Sequence, residues 1–111
     1  MSLAVKEEKN ISVVSVGCHL DYSFASTFKD EVLKLVKAGK KNLIIDLSGV
    51  NFVDSSGLGA LVSVLRAITS EGGDICLCGL KPNIQTMLEL TRLNRIFEVY
   101  AGVDDAVKNL T

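Results

Sequence analysis

The chain has no excess of charge of either sign. Twelve lysines and arginines face thirteen aspartates and glutamates, leaving a net charge of −1 over 111 residues and a pI near 5.8. No basic field therefore points to nucleic acid or to an anionic membrane surface. Long apolar runs are missing too, since none reaches the roughly 18 residues that a membrane-spanning helix needs. The first ten residues, MSLAVKEEKN, turn charged after five and lack the apolar centre of a signal peptide, so a cytoplasmic location is the expectation. Cysteine occurs three times, an odd count and too few for a disulfide scaffold in a chain of this length. Cys76 and Cys78 share one side of an expected strand, but no second cluster completes a metal site with them. The one histidine, His19, lies far from them in sequence. Small buried hydrophobes is the reading that fits these cysteines; neither a metal nor a cofactor is expected.

What is present is the composition of a globular domain: 48% hydrophobic and 23% charged residues, enough for one core and too apolar for general disorder. Residues 3–7 and 11–16 are β-favouring runs around Glu8-Lys9-Asn10, which suits a hairpin turn. Phe24, Ala25, Phe28, Val32, Leu35 and Val36 recur at helical spacing, with Ser23 as the expected cap and Gly39 as the stop. LIIDL, residues 43–47, is nearly all aliphatic, as a strand covered on both faces must be. A helix is expected from about Gly57 to Ser70, ended by Gly72-Gly73. Then follow a strand ICLCG, a helix opened by the one proline at Pro82, a strand IFEVY and a terminal helix VDDAVKNL with acids at its N-terminal end. There is no repeat, linker or low-complexity tract. The order implies a single α/β domain over residues 1–111. Its mixed sheet has a parallel centre and an N-terminal antiparallel hairpin, flanked by about four α-helices.

One stretch concentrates the polar chemistry, VDSSGLGALVSVL at 53–65. In α/β sheets functional groups collect where the carboxyl end of a strand meets the next helix, and Asp54, Ser55 and Ser56 occupy such a junction. Asp and Ser are favoured helix caps, so capping is the plain local reading. A nucleophile elbow needs G-x-S-x-G, which V-D-S-S-G does not supply. A phosphate-binding loop needs a G-K-[ST] that does not follow Gly57-Leu58-Gly59. Gly57 and Gly59 are expected to leave the turn open to a bulky partner. In the helix beyond, Leu58, Leu61, Val62, Leu65 and Ile68 form an apolar stripe for the core. The other side, with Gly59, Ala60, Ser63, Val64 and Ala67, carries almost no charge, which favours a partner-docking face with serine at its edge.

The segment NLIIDLSGVNFVDSSGLGALVSVLRAI resembles the signature of STAS domains, specifically the anti-sigma-factor antagonists. The likeness extends over nearly the whole chain, including a Leu20-Asp21 pair in the first loop and ICLCGLKPNIQTMLELTRLNRIFEVY downstream. It implies a regulatory protein and not an enzyme. Its unphosphorylated form binds an anti-sigma factor, often a serine kinase of the GHKL type, and so releases a sigma factor. The kinase target maps to Ser55, with Ser56 its neighbour, and a PP2C-type phosphatase restores the binding form. Asp21, Asp54, Ser55, Ser56, Gly57, Leu58, Gly59, Ala60, Ser63 and Val64 are the expected partner-binding residues. The resemblance also allows a different role, a non-switched STAS scaffold or sensor module of a stress-signalling assembly. The Leu20-Asp21 pair is preceded by Cys18-His19 where family members usually carry G-E or G-x.

Overall fold

Two consecutive residues with positive φ, Lys9 and Asn10 (φ 51° and 66°), turn the chain back on itself at its start. A two-residue turn of this left-handed kind matches the natural twist of the strands it joins. It pairs β1 (Leu3–Glu8) antiparallel with β2 (Ile11–Val16). The computed structural model describes residues 3–110, so the expected domain limits at residues 1 and 111 lie outside the described residues.

After β2 the order is α1 (Ala25–Lys37), β3 (Asn42–Asp46), α2 (Ser55–Ser70), β4 (Asp74–Cys78), α3 (Pro82–Leu90), β5 (Glu98–Tyr100) and α4 (Val103–Leu110). A short 3-10 turn, Leu93–Arg95, precedes β5. β5 is shorter than the expected run IFEVY, because Ile96 and Phe97 still belong to the turn that follows Arg95. The five strands lie in sequence order across one sheet. The β1–β2 pair is antiparallel and the β2–β3, β3–β4 and β4–β5 pairs are parallel, the mixed α/β sheet expected from the alternation of strands and crossover helices.

Strand alternation sorts side chains onto two faces. Val14, Val16, Leu43, Ile45, Ile75 and Leu77 face the main core, where α1 contributes Phe28 and Val32, α2 Leu61, Val64 and Ile68, and α3 Ile84 and Leu88. Ile11, Val13, Ile44, Cys76 and Cys78 face the other side, closed by Ala106 and Val107 of α4. Leu43, Ile44 and Ile45 are all fully buried, which is why β3 reads as an unbroken aliphatic run. Cys76 and Cys78 do share one face, and burial pushes both thiols up to about 12, since a thiolate there would lose its water.

Two helix starts differ from expectation. Ser23 does not cap α1: Phe24 holds the cap position without a side-chain bond, and the Asp21 carbonyl accepts from the Phe24 and Ala25 N–H groups instead. For α2 the helix begins two residues early, at Ser55, because Asp54 supplies the cap. Gly39 and Gly72, at φ 91° and 78°, end α1 and α2 as expected.

Candidate functional site

Because β2 and β3 run parallel, their carboxyl ends lie at one edge of the sheet, and the loops leaving them meet. Leu20 of the first loop forms an isolated parallel bridge with Val53 of the second. The Leu20 N–H donates to the Phe52 carbonyl at 3.0 Å, and the Asp54 N–H donates to the Leu20 carbonyl at 3.3 Å. Leu20 and Val53 are both buried, so the two loops share one small apolar seam beneath the polar groups.

Asp54 joins three elements. Its Oδ1 accepts the Gly57 N–H at 3.0 Å and its Oδ2 accepts the Tyr22 N–H at 3.0 Å. Its own carbonyl takes the first intrahelical bond, from the Leu58 N–H. Both carboxylate oxygens are thus engaged in holding the first loop and α2 together, a cap and a tie in one side chain. Asp21 lies in the tied loop, but its carboxylate turns to Ser23, accepting from the hydroxyl at 2.6 Å and from the N–H at 3.1 Å. The Ser23 hydroxyl is the main reason its carboxyl titrates below the usual 3.8.

With Asp54 as cap, Ser55 and Ser56 become the first two residues of α2, and both are exposed. By helix geometry their N–H groups have no carbonyl one turn back to donate to. Gly57 is not an open position: it is buried, and a Cβ there would meet the Leu20 carbonyl oxygen at 2.0 Å. Gly59 fits the expectation, with no atom within 4 Å of an added Cβ. Tyr22 is 79% exposed and Phe52 47%, and His19 packs edge-on against Phe52 with ring centroids 5.9 Å apart. These three rings lie on the two loops that Asp54 and Leu20 tie together, and composition offered no sign of that grouping. The signal that could have found them is topological: loops from adjacent parallel strands must meet at one edge.

The docking face on α2 is narrower than its lack of charge suggests. Ala60 is 5% exposed and Val64 0%, so these two, with Gly57, seat the helix in the core and are not presented to a partner. Leu58, Val62 and Leu65, expected in the core-facing stripe, pack against the core but are only partly buried. The helix packs against both α1 and the sheet, so its apolar arc is wide and its uncharged side is partly interior. Ser55, Ser56 and Gly59 remain exposed and Ser63 half-exposed. Ser56, Gly59 and Ser63 line a shallow groove with Ser26 and Lys29 of α1.

Among the described residues no group of three or more His, Cys, Asp or Glu side chains could hold a metal ion, and no helix is long and apolar enough to cross a membrane. Residues 2–106 match the family of STAS domains. The chain is a STAS domain.

This STAS domain is 25% identical over 108 residues to the anti-sigma-B factor antagonist of Bacillus subtilis, covering 97% of this chain and 98% of that one. It superposes with a TM-score of 0.89 on the crystal structure of an anti-sigma factor antagonist from Mycobacterium paratuberculosis, 28% identical, covering 98% of this chain and 92% of that one. The phosphorylated form of the Bacillus cell fate determinant SpoIIAA shares the fold, with a TM-score of 0.78 at 16% identity, covering 99% and 100% of the two chains.

Proposed function

We propose that this STAS domain is a cytoplasmic anti-sigma-factor antagonist switched by phosphorylation of Ser55. The unphosphorylated domain binds an anti-sigma factor of the GHKL serine-kinase type and thereby frees a sigma factor. The same kinase writes the phosphate, and a PP2C-type phosphatase removes it. The domain performs no chemistry of its own. Its relatives in Bacillus subtilis and Mycobacterium paratuberculosis bear the antagonist name, and SpoIIAA has been solved phosphorylated.

The observation that carries the reading is the setting of Ser55. Its side chain is exposed at the first position of α2, on a turn that Asp54 holds rigid from both sides. A kinase needs an accessible hydroxyl in a defined backbone, and this serine supplies both. A phosphate there adds about −1.5 to −2 charge beside N–H groups with no intrahelical acceptor, so the domain tolerates it without unfolding. A partner seated over Tyr22, Phe52 and Gly59 must instead desolvate that charge. The cost is several kcal/mol, on the order of a thousandfold in affinity.

Purified domain is incubated with candidate GHKL kinases and ATP, and the phosphate is mapped by mass spectrometry. The expected label is on Ser55, lost in Ser55→Ala and removed by a PP2C-type phosphatase. Ser55→Asp is expected to fold as the wild type does and to lose the anti-sigma factor. A partner that binds while Ser55 and Ser56 both stay unlabelled points instead to a non-switched scaffold or sensor module.

A further inference from the structure

We propose that Asn83, assisted by Lys81, is a positioning residue for the Ser55 switch, because the first turn of α3 pins the loop that sets the register of Leu20 and Asp54. This rests on the reading of Ser55 as the phosphate acceptor.

β4 runs parallel to β3, so the connection from β4 into α3 leaves the sheet at the same edge as the two loops of the site. Asn83 Nδ2 donates to the Asn51 carbonyl at 3.0 Å, and the Lys81 ammonium donates to the Ser48 carbonyl. Lys81 holds the cap position of α3 but makes no side-chain cap bond there, and its side chain reaches across to the loop instead. These two contacts clasp the 48–52 loop to an element more than 30 residues away in sequence.

The loop needs such a clasp. Val50 and Val53 are buried, whereas Asn51 and Phe52 between them are exposed, so packing fixes the ends of this stretch and not its middle. Yet the middle carries the critical acceptor: the Phe52 carbonyl takes the Leu20 N–H, and the Leu20 carbonyl in turn takes the Asp54 N–H. A continuous run of hydrogen bonds and peptide links therefore connects Asn83 through Asn51, Phe52 and Leu20 to Asp54. With the clasp released, Phe52 swings and the Leu20–Val53 seam loosens. Ser55 is then offered in the productive geometry only part of the time. An acceptor competent for a fraction of the time shows an apparent affinity reduced by that fraction, which appears in KM and not in kcat.

Asn83→Asp tests this, because a carboxylate of the same shape cannot donate to the Asn51 carbonyl. Asn83→Gln keeps the donor and serves as the rescue. Amide hydrogen exchange at Leu20 and Asp54 is expected to quicken roughly three- to tenfold in Asn83→Asp, with Val32 and Leu77 unchanged as core controls, and to return toward wild type in Asn83→Gln. Unchanged exchange at Leu20 and Asp54 overturns the clasp. If the controls quicken as well, the variant is globally destabilised, and Lys81→Met, which removes the second contact, takes its place with the same two outcomes. With the kinase that labels Ser55, KM for Asn83→Asp is expected to rise by a similar factor at unchanged kcat, and equal KM values overturn the positioning role. A wild-type domain that no kinase labels at Ser55 overturns the functional reading alone, and exchange then still decides the clasp.

Discussion

Gly57→Ala and Gly59→Ala put the same methyl group on the same helix two residues apart, and their effects are expected to have opposite signs. At 57 the new Cβ would lie 2.0 Å from the Leu20 carbonyl oxygen and 3.0 Å from Val53 Cγ1. A relaxed carbon–oxygen contact is roughly 3.3 Å, so the first turn of α2 must withdraw from Leu20 by about 1.3 Å, the difference between 3.3 and 2.0. Overpacking of this kind costs about 1–3 kcal/mol. The withdrawal also stretches the Asp54-to-Leu20 bond, already 3.3 Å long, a further loss of about 1 kcal/mol. Alanine regains at most about 1 kcal/mol over glycine in helix propensity. The net is a destabilisation of about 1–3 kcal/mol. At 59 nothing lies within 4 Å, so only the propensity gain remains and the variant is expected to be stabilised by up to about 1 kcal/mol. Urea denaturation followed by far-UV circular dichroism separates the two, with unchanged m-values as the check that only stability moved. At roughly 4 °C per kcal/mol for a domain of this size, the thermal midpoints should differ by about 4–16 °C. A Gly57→Ala domain as stable as Gly59→Ala would refute the claim that α2 is seated on the Leu20 backbone.

Three further outcomes follow from the same geometry. Asp54→Ala removes the cap and the bond from Tyr22 together and should cost about 1–3 kcal/mol; Asp54→Asn keeps an acceptor for Gly57 and should lose less, as urea midpoints will show. The Asp21 carboxyl titrates below 3.8, chiefly through the Ser23 hydroxyl, so its folded form gives up the proton more readily than the unfolded chain does. The linked stability is present above 3.8 and is lost as pH falls through the folded value. The stability difference between wild type and Ser23→Ala, followed by urea midpoints into acid, should shrink below 3.8. Of the three cysteines only Cys18 is partly exposed, and burial holds the Cys76 and Cys78 thiols near 12. A thiol reagent at about pH 8 should therefore modify one cysteine in the native chain and all three in denaturant.

Most of the fold was legible in the sequence because its signals are local. A short aliphatic run bounded by turn residues suits a strand covered on both faces, and β3, with Leu43, Ile44 and Ile45 fully buried, is such a strand. Gly39 and Pro82 mark helix ends through their own backbone preferences. The D-S-S-G turn was also legible as a place, since it sits between an aliphatic strand and a helix. What local pattern could not decide is which side of a wide apolar arc faces the core. Ala60 and Val64 read as an uncharged outer face, and only the packing of α1 against α2 shows that both are inside.

The same division holds within the site. By itself the sequence determined that an acid, two serines and a glycine stand at a strand-to-helix junction, and that no catalytic or nucleotide-binding spacing accompanies them. Tertiary structure alone decided their roles. Asp54 spends both oxygens on Tyr22 and Gly57, Gly57 is a seat for Leu20 and not an open door, and the serines become exposed helix residues rather than caps. The physical reason is the parallel pairing of β2 with β3. It brings together at one edge two loops more than 30 residues apart, and hydrogen bonds across such a gap leave no trace in the spacing of residues along the chain.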